Sequence, residues 1–410
     1  MGKDVLKVLF IGAVWPEPKS SAGGTRLMQL LHFFQKADFQ VHYCSAATET
    51  EFMEDLTGEG IQTFSVKLNC DSFNEQVESL QPDVVVFDRF MMEEQYGWRV
   101  DEYCPNALKI IETIDLHCLR LARKEQLKSG GNLRDTLLNS TVAKREIAAM
   151  FRSDLSLMIS EAEIKILIEY FSFPEALIFH LPFEVDLSKM NHEKKFDEKQ
   201  DFISIGNFKH EPNWDSVLHL KKVIFPLIRE QLPKAKMKVY GSYPDEKAFN
   251  LTNESEGFHV LGRAEDAQEV MIEAKVCIAP LRFGAGIKGK LIDAMLSGTP
   301  NVTTTIGAEG MSGGLEWSGV IADNDQDFAD AAVKLYTDKN TWYQAVQRGE
   351  LILKQCFSVQ EAQFTLKAKI QMLLENIQIH RQNNFTGSML KHHTLLSTKF
   401  MSRWIQEKNK

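Results

Sequence analysis

Residues 279 to 311 read APLRFGAGIKGKLIDAMLSGTPNVTTTIGAEGM, and the interpretation of this stretch decides the fold. The apolar run just before it, 276–279, has the pattern of a buried strand and ends at Pro280. Three glycines follow (Gly284, Gly286, Gly289), interleaved with three cations (Arg282, Lys288, Lys290). Residues 291–296 then read as a helix, which Gly298 and Pro300 stop, as a glycine just past a helix end and a following proline should. A second apolar strand comes next, with a loop that carries Gly307 and Gly310. Strand, glycine loop, helix amino terminus and basic residues together describe a cradle for a phosphate group. Glycine lets the backbone approach closely, free N–H groups and the helix dipole face the anion, and the cations neutralise it.

Two general phosphate loops fit poorly. Gly284 to Gly289–Lys290 has the GxxxxGK spacing of a Walker A loop, but Leu291 stands where that loop needs a magnesium-binding Ser or Thr. Gly284, Gly286 and Gly289 also spell GxGxxG, yet that dinucleotide motif belongs at the first strand of a Rossmann unit, and here several strand–helix units precede it. Taken whole, PLRFGAGIKGKLIDAMLSGTPNVTT followed by IGAEG resembles the donor-binding signature of the family 4 glycosyltransferases. The resemblance implies an α/β protein of GT-B fold, two Rossmann-like doubly wound domains facing each other across a cleft. It implies a nucleotide-diphosphate-sugar donor, UDP- or GDP-linked, held by the second domain, and a sugar, lipid-linked or protein acceptor on the first.

The composition agrees with such an enzyme. The chain has 410 residues, 44% hydrophobic and 25% charged, enough for two or three domains with substantial cores. A net charge of −9 argues against a nucleic-acid binder that relies on bulk electrostatics. Six scattered cysteines without a CxxC pair indicate neither zinc nor a disulfide framework and fit a reducing cytosol. No metal or other cofactor is called for. A cytoplasmic protein is expected, at most touching the inner face of a membrane.

The first domain is expected over 1–183. Its opening strand, 5–12, runs into a loop and then Gly23–Gly24 ahead of a helix over 25–36. Those glycines either donate N–H groups to a ligand or serve a tight turn of positive φ. Further strands at 40–45, 61–65, 84–87 and 108–112 complete a mostly parallel sheet. Asp115 and His117 follow the last of these, outside its carboxyl end, with Arg120 and Arg123 beyond. On the residues alone, Asp115 is either a helix cap or a ligand for sugar hydroxyls; the resemblance favours the ligand role for both Asp115 and His117. Ser160-Glu161-Ala162-Glu163 reads as a capping box.

Residues 184–200 are charged and form the linker, and 201–357 are the donor domain. Its first strand, 202–205, ends at Gly206, and a GN…PNxD opening follows. The resemblance has Gly206 face the cleft and Lys209 touch the diphosphate, while Asn213 reads as a helix cap. Gly241, Gly262 and Arg263, after two more strands, are carried over as the nucleoside site. Within the main motif, Gly284, Gly286 and Ile287 form the loop. Arg282 and Lys288 offset the charge of the departing diphosphate, with Lys290 either a third such cation or a surface lysine. Asp293 stands where the family usually has a ribose-binding glutamate, and Ala285 replaces a second glutamate; both departures weaken the carry-over. Glu309 is either near the donor phosphates and sugar or an exposed loop residue. The acidic run 323–327 lacks the glycine and glutamate of a calcium loop and reads as the cap of the next helix.

A helix over 358–379 is expected to cross back to the first domain. Residues 380–410 make a basic tail with Phe385, Phe400, Met401 and Trp404, which either lies on an anionic membrane surface or is a disordered or packing extension. Two other functions share the fold: a sugar-nucleotide 2-epimerase, which needs acid–base carboxylates in the cleft, and a binding protein that has lost catalysis.

Overall fold

The computed structural model describes residues 5–408, without the side chains of residues 394 and 395. The outermost ends of the first domain and of the tail as expected from sequence lie outside it. Two sheets organise the chain. The first contains β1 (Lys7–Gly12), β2 (Gln40–Ser45), β3 (Gln62–Ser65), β4 (Val84–Asp88), β5 (Leu108–Glu112), β6 (Leu155–Met158) and β7 (Ile178–His180), in the spatial order 3-2-1-4-5-6-7. The second contains β8 (Gln200–Ile205), β9 (Met237–Tyr240), β10 (Phe258–Gly262), β11 (Ala274–Ala279), β12 (Asn301–Thr303) and β13 (Gly319–Ile321), in the order 10-9-8-11-12-13. Adjacent strands pair in parallel in both sheets.

The central strands are apolar because helices cover both of their faces; β4, VVVFD, is buried along its whole length. Leu9, Ile11, Val85, Phe87 and Ile111 face one core of the first sheet, and Val8, Phe10, Val84 and Val86 face the other. Leu366, Ile370 and Leu373 of helix Gln360–Glu375 join that second core, so a helix late in the chain packs on the first sheet.

Strand order reverses between β1 and β4 in one sheet and between β8 and β11 in the other. Open parallel sheets bind ligands outside the carboxyl ends of the strands at such a reversal. The segments leaving these four strands begin at Ala13, Arg89, Gly206 and Pro280, so the topology delivers the glycine motif to a crevice.

Several local expectations change. The helix after β1 is Ala22–Lys36, so Gly23 and Gly24 lie inside it, outside the left-handed region, and the tight-turn reading fails. Ser160 caps nothing with its side chain, so the capping box does not form. Asn213 lies within helix Glu211–His219 rather than at its cap. Through residue 408 the tail is helical, not disordered. The acidic run does cap its helix: Asn324 Oδ1 accepts from Gln326 and Asp327 N–H at 2.9 and 3.2 Å.

Candidate active site

The loop after β11 leads into helix Gly289–Leu296, with Lys288 at the cap position. Lys288 is buried and folds back, its Nζ donating to the Gly286 carbonyl at 2.7 Å. Gly286 has φ +68°, and a Cβ there would sit 2.8 Å from Asp115 Cβ and 3.0 Å from the Ile114 carbonyl. The loop is therefore pressed against residues 113–116 of the first domain. Ile114 itself has φ +60°, a conformation that β-branched residues rarely adopt and that persists only where the surroundings impose it.

The Gly286 N–H is engaged. It donates to Glu163 Oε1 at 2.6 Å, and Glu163 Oε2 accepts from Leu116 N–H at 3.3 Å. Glu163 is fully buried on helix Glu161–Phe171 of the first domain. Burial pushes its carboxyl up and the Lys288 amine down, and the attraction between the two groups opposes both shifts. The N–H of the phosphate-type loop thus holds a carboxyl oxygen, and the first domain supplies it. The sequence read Glu163 as part of a capping box, in a feature that also resembles the family, and assigned it no role in the site; its long-range contact had no local signal.

Helix His117–Ser129 presents the other half of the crevice. Asp115 does not cap it. The Glu146 carboxylate does so instead, accepting from His117 and Cys118 N–H at 3.0 and 2.8 Å. Asp115 is left to pair with the Arg120 guanidinium, with His117 Nε2 at 3.4 Å. Burial raises the Asp115 pKa, but Arg120 and His117 more than offset this, so it lies below the usual carboxylate range. Burial lowers the His117 imidazole to about 4 against the pull of Asp115, which keeps it neutral near pH 7. Arg123, one turn on from Arg120, reaches across the crevice. Its guanidinium donates to both Glu309 oxygens at 2.6 and 2.8 Å and to the Gly284 carbonyl at 2.9 Å. Glu309 is thus not a free loop residue.

The other donor-side residues fall into three groups. Lys290 is no surface lysine: its Nζ donates to Asn213 Oδ1 at 2.8 Å and points at Gly206. Burial lowers its pKa to about 8. Gly206 and Gly241 pack backbone to backbone behind it. Arg282, by contrast, stands at the rim, 38% exposed, in a two-pronged pair with Asp215 at 2.9 and 2.5 Å; it is not gathered with Lys288. Ile287 packs with Ile159 and Phe183 in an apolar cluster. Asp293 is half-buried, and burial with nearby Asp266 raises its carboxyl to about 7.

Residues after β9 and β10 also meet the first domain. The Arg263 guanidinium lies 4.4 Å from the Phe52 ring centre, just past Gly262. Lys209 stacks its Nζ at 3.6 Å over Tyr243, whose hydroxyl donates to Glu17 at 2.7 Å. Gly24 N–H is taken by Ser21 Oγ at 3.0 Å, while Gly23 faces Arg89 and Ile114. The crevice is closed, with charged groups of both domains as its seam.

Comparison with known proteins bears on the fold. Residues 199–338 match the family model described as "Glycosyl transferases group 1". No curated protein matches the chain by sequence. Among solved structures, the chain is similar to HepE from Anabaena in complex with UDP and glucose, with a TM-score of 0.66 and 11% identity over 89% of this chain and 99% of that one. It is similar to sucrose-phosphate synthase from Thermosynechococcus elongatus, with a TM-score of 0.66 and 13% identity over 90% and 99%. WaaG, a glycosyltransferase involved in lipopolysaccharide biosynthesis, matches with a TM-score of 0.62 and 12% identity over 88% and 99%. At such identities the likeness shows the fold, which is GT-B.

Proposed function

We propose that the chain, whose residues 199–338 match the group 1 glycosyltransferase model, moves a sugar from a nucleoside-diphosphate donor to an acceptor, with retention of configuration and without a metal. The observation that carries the donor site is the Gly286 N–H bonded to a carboxyl oxygen at 2.6 Å, beside the buried Lys288 at a helix amino terminus. A diphosphate presents the same kind of oxygen to the same donors. Glu163 must be displaced, or the crevice opened, before that oxygen can enter.

In this reading the donor lies along the carboxyl ends of β8 and β11, its phosphates at residues 284–288. Gly206 and Lys290 face the diphosphate. The nucleoside lies toward Gly241, Gly262, Arg263 and Asp293. As the bond from the anomeric carbon to the diphosphate oxygen breaks, negative charge grows on the leaving group, and Lys288 is preorganised to offset it. Arg282 joins it only by leaving Asp215. An acceptor hydroxyl oxygen bonds to the same carbon, and its proton passes to the departing diphosphate oxygen. Ionised Asp115 and neutral His117, facing the loop from the first domain, hold sugar hydroxyls. An epimerase would need free acid–base carboxylates, whereas Asp115, Glu163 and Glu309 all have partners here.

Thermal unfolding with UDP, GDP, ADP, CMP and their sugar conjugates, in a chelating buffer, tests the donor site. UDP, present in the HepE complexes, is the first to try. A ligand at a hundred times its dissociation constant stabilises by about 2.7 kcal/mol. One nucleotide series is expected to raise the midpoint. Silence from the folded protein across the panel would overturn the donor site.

A further inference from the structure

Helices Phe385–Leu390 and Leu396–Lys408 are joined by a π-helical turn at Lys391–Leu395 into one run about 36 Å long. A surface helix ordinarily buries its apolar stripe and shows its polar face to water. This one does the reverse. Its inward side is polar: Lys399 Nζ lies 2.7 Å from Glu102, Ser402 Oγ accepts from the buried Arg99 at 3.2 Å, and Gln406 Nε2 donates to Asp71 at 2.7 Å. Its outward side carries Phe385, Met389, Leu396, Phe400 and Trp404, spaced four or seven apart, with Met401 beside them. All six are between 45% and 76% exposed.

The helix cannot simply roll to hide that stripe. Turning it inward would take Ser402 from the buried Arg99, which keeps Asn74 and Asp71, would take Lys399 from Glu102, and would bury apolar side chains against charged ones, which is unfavourable. The stripe is therefore available to another surface. Residues 380–410 hold six Lys and Arg against a single acidic residue, in a chain whose net charge is −9; Arg381, Lys391 and Lys399 turn inward to Asp154, Asp101 and Glu102, which leaves Arg403 and Lys408 as the described cations beside the stripe. Lys408 Nζ lies 5.2 Å from the Trp404 ring centre, and Arg403 is half exposed at the edge of the stripe.

We propose that the outward face of this helix docks on a bilayer surface of anionic lipid, with the helix lying along the headgroup plane. Leu396 and Phe400 would enter the acyl boundary, Trp404 would sit at headgroup level, and Arg403 and Lys408 would meet the lipid phosphates. No described helix is long and apolar enough to cross a membrane, so the contact is along the surface. Charge complementarity selects lipid over a second copy of the chain. The interior of a protein–protein interface is depleted of Lys, whereas a basic rim around an apolar stripe fits phosphate headgroups. The acidic remainder of the chain would be repelled by the same lipids and would orient this face downward.

Co-sedimentation of the full chain with phosphatidylcholine vesicles, with and without phosphatidylglycerol, tests this. Binding is expected only with phosphatidylglycerol, weakening in high salt and falling by about tenfold in Phe400→Ser/Trp404→Ser. Both positions are exposed, so that variant is expected to keep its thermal midpoint and its nucleotide response, which separates this result from the fate of the donor site. Wild-type protein that ignores anionic vesicles, or a double variant that binds as well as wild type, would overturn the proposal. So would a wild-type dimer that the double substitution dissolves, since the face would then belong to a second copy.

Discussion

Lys288 and Arg282 look equivalent in sequence, but they sit in different surroundings. Lys288 is buried between Gly286, Glu163 and Glu309; Arg282 is at the rim and paired with Asp215. Lys288→Ala is expected to lower turnover at saturating donor by about 10²–10³-fold, the cost typical of losing one preorganised group at a developing charge. Arg282→Ala should change folding stability by less than about 1 kcal/mol, because an exposed pair contributes little. Unchanged turnover in either variant removes that residue from the mechanism. His117 gives a pH signature. Its folded pKa lies below the unfolded value of 6.5, so its contribution to stability is complete above pH 6.5 and is lost as pH falls toward 4. Urea midpoints of wild type and His117→Asn should differ by a constant amount above pH 6.5. Below it the wild type should lose ground to the variant, by about 2–4 kcal/mol at pH 4. A constant difference down to pH 4 would mean the imidazole is not desolvated.

At the scale of elements, Gly24 shows packing overruling propensity. Within an α-helix, Gly to Ala ordinarily gains about 1 kcal/mol. Here a Cβ on Gly24 would stand 2.3 Å from the Glu17 carbonyl oxygen, which belongs to the backbone of the preceding loop. Gly24→Ala is thus expected to lower the thermal midpoint, and a rise would show that the loop yields freely. The same lesson explains the missing capping box. Ser160 and Glu163 have the right spacing, but the Glu163 carboxylate gains more from the N–H groups of Gly286 and Leu116 than from its own helix end. Asp115 loses its cap position for a similar reason, since Glu146 fills it from another helix.

Across the whole molecule, the two domains are clamped by charged contacts. Arg123 holds Glu309 and the Gly284 carbonyl, Glu163 holds Gly286, and Tyr243 holds Glu17. Donor entry must compete with this seam. Arg123→Ala is expected to shift the protein toward an open form, seen as a larger radius of gyration in solution scattering than wild type, with unchanged secondary structure. The two radii should converge when the donor nucleotide is added. Identical radii without ligand would show that Arg123 does not set the closure.

The sequence by itself determined what depends on short spacing. Apolar runs marked buried parallel strands, and the run from Pro280 to Gly310 carried the resemblance that named the GT-B fold. Lys288 and the glycines at 284, 286 and 289 are where the motif put them, at a helix amino terminus beyond a buried strand. What only the tertiary structure decided is which partner each polar group takes. Glu163 and Gly286 lie 123 residues apart, and Arg123 and Glu309 lie 186 apart. No local pattern encodes such pairs, because a buried carboxylate or guanidinium goes to whichever donor or acceptor the fold brings nearest, and satisfying it there outweighs the weaker preference of a cap or a solvated surface.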